Sequence, residues 1–112
     1  MNLTVTEAGQ SVVIISLEGP LTLDGSDALK DAVSKAVSGR CKAIVIDMSG
    51  VRFIDSQGLE LLLWIRDYCQ LSLVAFRLAG LDQTCQKILE ITRLKDEFGC
   101  SVDLASAVRS LA

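Results

Sequence analysis

Ser56 is the residue of this chain whose position best suits chemistry. It follows Asp55 and precedes Gln57 and Gly58, where an extended segment gives way to a predicted helix. A helix N-terminus carries partial positive charge and free N–H donors, so it can host a phosphate. A phosphate on Ser56 would add about two negative charges beside Asp55 and could switch off an interface by repulsion. The alternative is a serine that only caps the helix.

The residues around Ser56 supply a candidate contact surface. Gly58 has no side chain, which would let a partner's backbone approach the first turn. On a helical wheel, Glu60 and Leu63 fall on the same polar side as Ser56. Leu63 is either a partner contact or a partly covered surface leucine, and both interpretations stay open. Trp64 lies on the flank of this face, where packing against the helix edge is the ordinary expectation.

Enzymatic chemistry finds little support in the sequence. The chain has no histidine, which removes the commonest general base and most types of zinc site. Asp47 and Asp55 could act as acid/base groups or Mg²⁺ ligands, and Asp47 as a phosphoacceptor, but no phosphate-cradling glycine loop accompanies them. We therefore predict no enzyme activity, no catalytic residue, no metal site and no cofactor.

Composition and charge narrow the function classes further. The chain has 112 residues, of which 50% are hydrophobic, which fits one domain over residues 1–112. The net charge is −3 and no basic run occurs, which disfavours nucleic acid and anionic membrane surfaces as partners. Residues 1–7 lack signal-peptide features, and no apolar run approaches the ~20 residues of a membrane helix. We expect a cytoplasmic protein without direct membrane insertion.

The four cysteines form no C-x-x-C pair. Cys41, Cys69, Cys85 and Cys100 lie mostly beside or within apolar patterns, where a reduced cysteine acts as a small hydrophobe. Reduced thiols are the expected state, and two disulfides are the alternative.

The first half of the chain predicts a hairpin, a helix and a central strand. Residues 3–6 and 12–18 suit two strands joined by a turn at residues 8–11. A helix capped within residues 24–27 and ended by Gly39 follows. Its apolar stripe comprises Leu29, Ala32, Val33, Ala36 and Val37. Residues 43–48 form a central strand that Ser49 and Gly50 should end.

The second half alternates helices and strands. A helix runs from Asp55 or Ser56 to about Cys69, and residues 71–78 form a strand. Asp82 caps a helix with the stripe Cys85, Ile88 and Leu89, and Phe98 lies in a possible edge strand. The last amphipathic helix carries Leu104, Ala107, Val108 and Leu111. The order β-β-α-β-α-β-α-(β)-α predicts an α/β fold with a mixed, mostly parallel central sheet of 4–5 strands and about 4 helices.

Residues 46–59, Ile-Asp-Met-Ser-Gly-Val-Arg-Phe-Ile-Asp-Ser-Gln-Gly-Leu, resemble the signature of STAS domains of the bacterial anti-sigma factor antagonist type. That signature is a strand, a short turn, and then Asp-Ser-x-Gly-Leu opening a helix. The order of the elements and the later segment 78–94 are also similar. The resemblance covers nearly the full length and implies a single STAS-like domain.

The resemblance also implies a mechanism. The unphosphorylated protein would bind an anti-sigma factor that is also a serine kinase and would thereby free a sigma factor. The kinase, using its own ATP, would phosphorylate Ser56 and end the binding, and a serine phosphatase acting on the phospho-form would reset the switch. The predicted partner-binding residues are Leu21, Thr22, Leu23, Asp24, Asp55, Ser56, Gln57, Gly58, Glu60 and Leu63.

The chain departs from the family pattern at three places. It has Gly19-Pro20-Leu21-Thr22 where the family often has Gly-acidic-Leu-Asp, Tyr68-Cys69-Gln70 where a Gly-Gly turn is common, and Asp82 where a proline often opens the third helix. An alternative role is an interaction subunit of a lipid-transport ABC complex, which would use the same helix face without phosphorylation.

Overall fold

A mixed five-stranded sheet lies at the centre of the computed structural model, which describes residues 2–9 and 11–111. The strands in these residues are β1 Asn2–Ala8, β2 Val12–Glu18, β3 Ala43–Gly50, β4 Ala75–Ala79 and β5 Cys100–Ser101. The helices are α1 Ser26–Ser38, α2 Ser56–Leu71, α3 Gln83–Ile91 and α4 Leu104–Arg109, with a 3-10 turn at Lys95–Glu97. The predicted fold class and element order are confirmed.

The strands lie side by side in the order in which they occur in the chain. β1 pairs with β2 antiparallel, as the predicted hairpin requires, and the remaining neighbours are parallel. The parallel strands follow one another across the sheet in a single direction. When every connection between such strands is right-handed, the connecting helices all lie on the same face of the sheet. α1, α2 and α3 accordingly share one core, whereas Ala107 of α4 packs against Ile14 and Val45 in a second cluster.

The main core forms where alternate strand residues meet the helix stripes. Ile15, Ile44 and Ile46 are fully buried on this face, and so are Leu29 and Val33 of α1. Cys85 and Leu89 of α3 are buried as well, while Ala32, Ala36, Val37 and Ile88 are partly buried against this core. The predicted stripes are therefore confirmed.

The predicted bounds of α1 are confirmed, and the predicted end of β3 is wrong. α1 is capped by Gly25, which lies within the predicted residues 24–27, in the left-handed region at φ 81° and without a side-chain hydrogen bond, and Gly39 caps its other end. β3 continues through Ser49 to Gly50, because its pairing with β2 resumes after an irregularity between Ser16 and Glu18. The predicted turn at residues 8–11 includes Gln10, which lies outside the described residues.

The predicted strand over residues 71–78 begins too early. α2 continues to Leu71, and β4 starts at Ala75. Between them the N–H of Leu73 donates to the Gln70 carbonyl at 3.2 Å, and the N–H of Val74 donates to the Cys69 carbonyl at 2.8 Å. This is the Schellman ending of a helix, with Leu73 in the left-handed region at φ 58°. Apolar residues in this turn imitate the start of a strand.

The four cysteines carry free thiols in the structure. In residues 2–9 and 11–111, we find no helix with both the length and the apolar character needed to span a membrane.

Candidate functional site

Two loops at the carboxyl ends of β2 and β3 build the surface around Ser56. We call residues 19–25 the first loop and residues 51–55 the second loop. The N–H of Leu21 donates to the Phe53 carbonyl at 2.9 Å, and the N–H of Asp55 donates to the Leu21 carbonyl at 3.3 Å. Leu21 and Ile54 also form a parallel β-bridge. The loops therefore run as a continuation of the sheet and position α2 together.

Gly58 faces this junction and not the solvent. It is buried in the first turn of α2, and a Cβ built on it would clash with the carbonyl oxygen of Leu21. The prediction that Gly58 leaves room for a partner's backbone is therefore wrong, because the chain's own first loop fills that space. Leu21 is itself fully buried, so its side chain cannot contact a partner and the prediction that it does so is wrong as well.

Asp55, and not Ser56, caps α2. Its Oδ1 accepts from the N–H of Gly58 at 2.8 Å, and its carbonyl accepts from the N–H of Leu59 at 2.9 Å. Ser56 is the first residue of the helix and is exposed. The alternative that Ser56 serves only as the cap is thus excluded. The N–H groups of Ser56 and Gln57 have no acceptor within the helix, since the first helical donors never do.

The other predicted contact residues are either exposed or half-buried. Leu23 is 67% exposed. Asp24, Gln57 and Glu60 are also exposed, and Thr22 and Asp55 are half-buried. Leu63 is half-buried against the main core, so it is a partly covered leucine that presents only part of its side chain.

Phe53 and Trp64 were not among the partner-binding residues predicted from the sequence, although both are near the predicted ones in the chain. Phe53, in the second loop three residues before Ser56, is 50% exposed, whereas its neighbour Ile54 is buried. Alternation in an extended segment could have revealed this outward position. Trp64 joins Leu23 and Glu60 in lining a shallow recess between α1 and α2. The Lys30 ammonium lies 5.0 Å from the centroid of the Trp64 ring, a cation–π distance.

Cys85 of α3 forms a hydrogen bond to the second loop from the core side. Its Sγ donates to the Val51 carbonyl at 3.4 Å in the buried core. Burial, with a smaller contribution from Asp82, raises the pKa of the Cys85 thiol to about 12. The thiol therefore stays protonated and remains a donor at neutral pH.

Asp47 is occupied with a structural contact. Its half-buried carboxylate accepts from the N–H of Ser49 at 3.1 Å at the end of β3. Within the part of the chain that the structure describes, no three His, Cys, Asp or Glu side chains come together as metal ligands would. The arrangement at Ser56 is instead an exposed hydroxyl beside exposed apolar and polar side chains.

Comparison with known proteins places this geometry in a family. Residues 4–108 match the sequence model of the STAS domain. The anti-sigma-F factor antagonist RsfB of Mycobacterium tuberculosis is 37% identical over 62 residues, which is 54% of this chain and 51% of that protein. The chain thus spans about half the length of the curated relatives it matches.

Several solved structures share the fold. An anti-sigma factor antagonist from Mycobacterium paratuberculosis is 24% identical with a TM-score of 0.82, covering 97% of this chain and 93% of that one. The phosphorylated form of the Bacillus protein SpoIIAA is 18% identical with a TM-score of 0.76, covering 99% and 100%. A sulfate transporter family protein from Wolinella succinogenes is 22% identical with a TM-score of 0.75, covering 95% and 90%. These likenesses show the fold, and the family match over residues 4–108 shows that the chain belongs to the STAS domain family.

Proposed function

We propose that this chain is an anti-sigma factor antagonist whose binding is switched off by phosphorylation of Ser56. The observation that carries the proposal is the position of Ser56, which is exposed at the first residue of α2 while Asp55 does the capping. A hydroxyl with no structural task at such a place can be modified without unfolding the helix. The relative RsfB is named an anti-sigma-F factor antagonist, which supports the same role here.

The unphosphorylated surface is suited to a protein partner. Leu23 and Phe53, at 67% and 50% exposure, supply apolar area on the first and second loops, and Gln57 and Glu60 add hydrogen-bonding groups. Apolar side chains surrounded by polar ones are typical of protein contact surfaces. The partner that we propose is an anti-sigma factor with serine kinase activity, which releases its sigma factor in the cytoplasm when this surface is engaged.

Phosphorylation would act through charge. The Ser56 oxygen attacks the γ-phosphorus of the kinase's ATP, ADP leaves, and the hydroxyl proton passes to a base of the kinase. The new group brings about two negative charges next to Asp55 and Glu60 and enlarges a side chain at the middle of the contact. The free N–H groups at the start of α2 stabilise the phosphate in the free protein. A serine phosphatase would hydrolyse the phosphoester and restore the binding form.

Binding to the anti-sigma factor kinase tests the proposal. We expect calorimetry to show that Ser56→Ala binds like the unmodified chain, and that Ser56→Asp binds at least ~10-fold more weakly, about 1.4 kcal/mol. The matched control is Thr84→Asp, which adds a carboxylate to the exposed first turn of α3. Loss of binding by both aspartate variants, or by neither, would contradict the switch.

The alternative role, an interaction subunit of a lipid-transport ABC complex, makes a different prediction. In that case the chain would co-purify with an ATPase subunit, and neither Ser56→Ala nor Ser56→Asp would change the yield. Genes for an ABC transporter beside the gene of this chain would favour that role, whereas a neighbouring sigma factor or anti-sigma kinase would favour the switch.

A further inference from the structure

The end of α2 opposite to Ser56 carries an apolar surface that the proposed switch does not use. Leu71, the last residue of α2, is 87% exposed, and Leu73 in the following turn is 92% exposed. Leu73 is the most exposed large apolar side chain among residues 2–9 and 11–111. α2 has 16 residues, so this end lies roughly 24 Å from Ser56 at 1.5 Å per residue.

Leu73 occupies a position that favours other residues. It has φ 58°, in the left-handed region where glycine or asparagine is usual. α1 and α3 end with the same pair of Schellman hydrogen bonds, and they place Arg40 and Arg93 at the corresponding position. An arginine there brings positive charge to the negative end of a helix. Leu73 brings no charge, and the last turn of α2 contains no basic residue.

A recess lies beside Leu71, which forms part of its lining. It is lined by Trp64, Asp67, Tyr68, Leu71 and Ser72. The rings of Trp64 and Tyr68 lie 5.1 Å apart at an angle of 55°, so they form an aromatic corner. Asp67 is the charged residue of this lining. It accepts from Arg66 at 2.9 Å, and its side chain is still 59% exposed.

We propose that Leu71, Leu73 and this recess form a second docking surface, which binds a protein segment carrying an arginine or lysine flanked by apolar side chains. The apolar side chains of the segment would cover the two leucines. Its cation would lie between the carbonyl end of α2 and the exposed carboxylate of Asp67, which both favour positive charge. The Trp64 ring already has the Lys30 ammonium 5.0 Å from its centroid, so it would contribute apolar contact to the segment. The segment would thus bring positive charge to the end of α2, where α1 and α3 have Arg40 and Arg93 at the corresponding position.

A second copy of this chain and an anionic membrane fit the negative charge of this surface less well than a cationic segment does. A symmetric contact with a second copy would bring two helix carbonyl ends and two Asp67 side chains together. An anionic membrane would repel the same groups and a chain of net charge −3. Trp64 lines both this recess and the one beside Leu23 and Glu60, but Leu71 and Leu73 lie at the end of α2 opposite to Ser56. The phosphorylation state of Ser56 should therefore not change binding at the two leucines.

Trp64 allows a direct test, because it is the one tryptophan of the chain and it lines the recess. The probes are two synthetic amphipathic helical peptides without tryptophan, with identical leucine positions and either lysine or glutamate at the flanking positions. Titration followed by Trp64 fluorescence should show at least ~10-fold tighter binding of the lysine peptide. Leu73→Asn, which suits the left-handed conformation, should weaken that binding at least ~10-fold.

The controls separate this surface from general attraction to an acidic protein. Ile91→Asn changes another apolar side chain, 72% exposed at the end of α3, and should leave the affinity unchanged. Ser56→Asp should leave it unchanged as well. Equal affinity for the two peptides, or no effect of Leu73→Asn, would overturn the proposal. It would also be overturned if sedimentation showed dimers that Leu73→Asn abolishes, or if only anionic phosphatidylglycerol vesicles changed the fluorescence.

Discussion

The carbonyl oxygen of Leu21 lies in the space that a side chain on Gly58 would need. This relationship joins the first loop to the first turn of α2 and leaves Ser56, two residues earlier, facing the solvent. Because the N–H of Asp55 donates to the same carbonyl, one oxygen fixes both the cap and the first turn of the helix. The direction in which Ser56 is presented therefore depends on the absence of a side chain at Gly58.

Gly58→Ala should destabilise the protein. Alanine in a helix is worth about 1 kcal/mol over glycine, but forcing a methyl group into a closed space costs roughly 1–3 kcal/mol, and here the neighbour is backbone that cannot rotate away. We expect a net loss of up to about 2 kcal/mol in the free energy of unfolding, measured by urea denaturation. The control is Gly39→Ala, whose Cβ would have ordinary contacts at 3.4 Å and whose φ is −76°. If Gly58→Ala and Gly39→Ala changed the free energy of unfolding equally, the carbonyl of Leu21 would not exclude a side chain at Gly58.

Periodicity in the sequence predicted the elements well and their ends less well. The stripe containing Leu29 and Val33 and the buried β3 depend on local spacing, which a sequence displays directly. The ends that were missed depend on strand pairing and backbone conformation, such as the pairing of Gly50 with Glu18 and φ 58° at Leu73, which side-chain patterns do not encode. Leu71 and Leu73 misled the prediction because alternating apolar residues indicate a strand even in a turn.

The sequence displays which residues are neighbours of Ser56 in the chain, but it does not display how the site packs. Asp55, Ser56 and Gln57 lie together because they are neighbours in the chain. The first loop's contact with Gly58 is a tertiary contact between residues far apart in sequence, so a single sequence could not show that Leu21 is buried and that Gly58 faces it.

Asp55→Ala should weaken α2, because the Gly58 N–H loses its acceptor. The expected decrease in the free energy of unfolding is about 1 kcal/mol. Asp55→Asn keeps a side-chain oxygen for the same hydrogen bond and should retain most of the stability, although it removes the charge beside Ser56. Thermal unfolding of both variants makes the comparison. If Asp55→Asn proved as damaging as Asp55→Ala, the carboxylate would matter for more than capping.

The cysteines should differ in reactivity. Burial raises the pKa of Cys69 to about 12, and burial raises the pKa of Cys85 to about 12 as well. Both residues are fully buried, whereas Cys41 and Cys100 are half-buried. Since the thiolate is the reactive form, we expect iodoacetamide at pH 8 to modify Cys41 and Cys100 first, as peptide mass spectrometry would reveal. Early modification of Cys69 or Cys85 in folded protein would contradict the buried placement.

The raised pKa values of Cys69 and Cys85 predict that the stability of the protein depends on pH. A thiol whose pKa is raised by folding stabilises the native state fully below its unfolded pKa of 9.0, and this contribution is lost as the pH rises toward about 12. The free energy of unfolding should therefore decline above about pH 9. Cys69→Ala should make that decline less steep, and an unchanged slope would argue against a raised pKa.

Phosphopeptide mapping after incubation with the anti-sigma factor kinase and ATP is the most direct test of the switch at Ser56. We expect a mass increase of one phosphate, located on Ser56, and an accompanying loss of the complex in size-exclusion chromatography. Ser56→Ala should gain no phosphate and should stay bound. A phosphate on another residue, or a complex that survives full phosphorylation of Ser56, would contradict the claim that this hydroxyl controls the interaction.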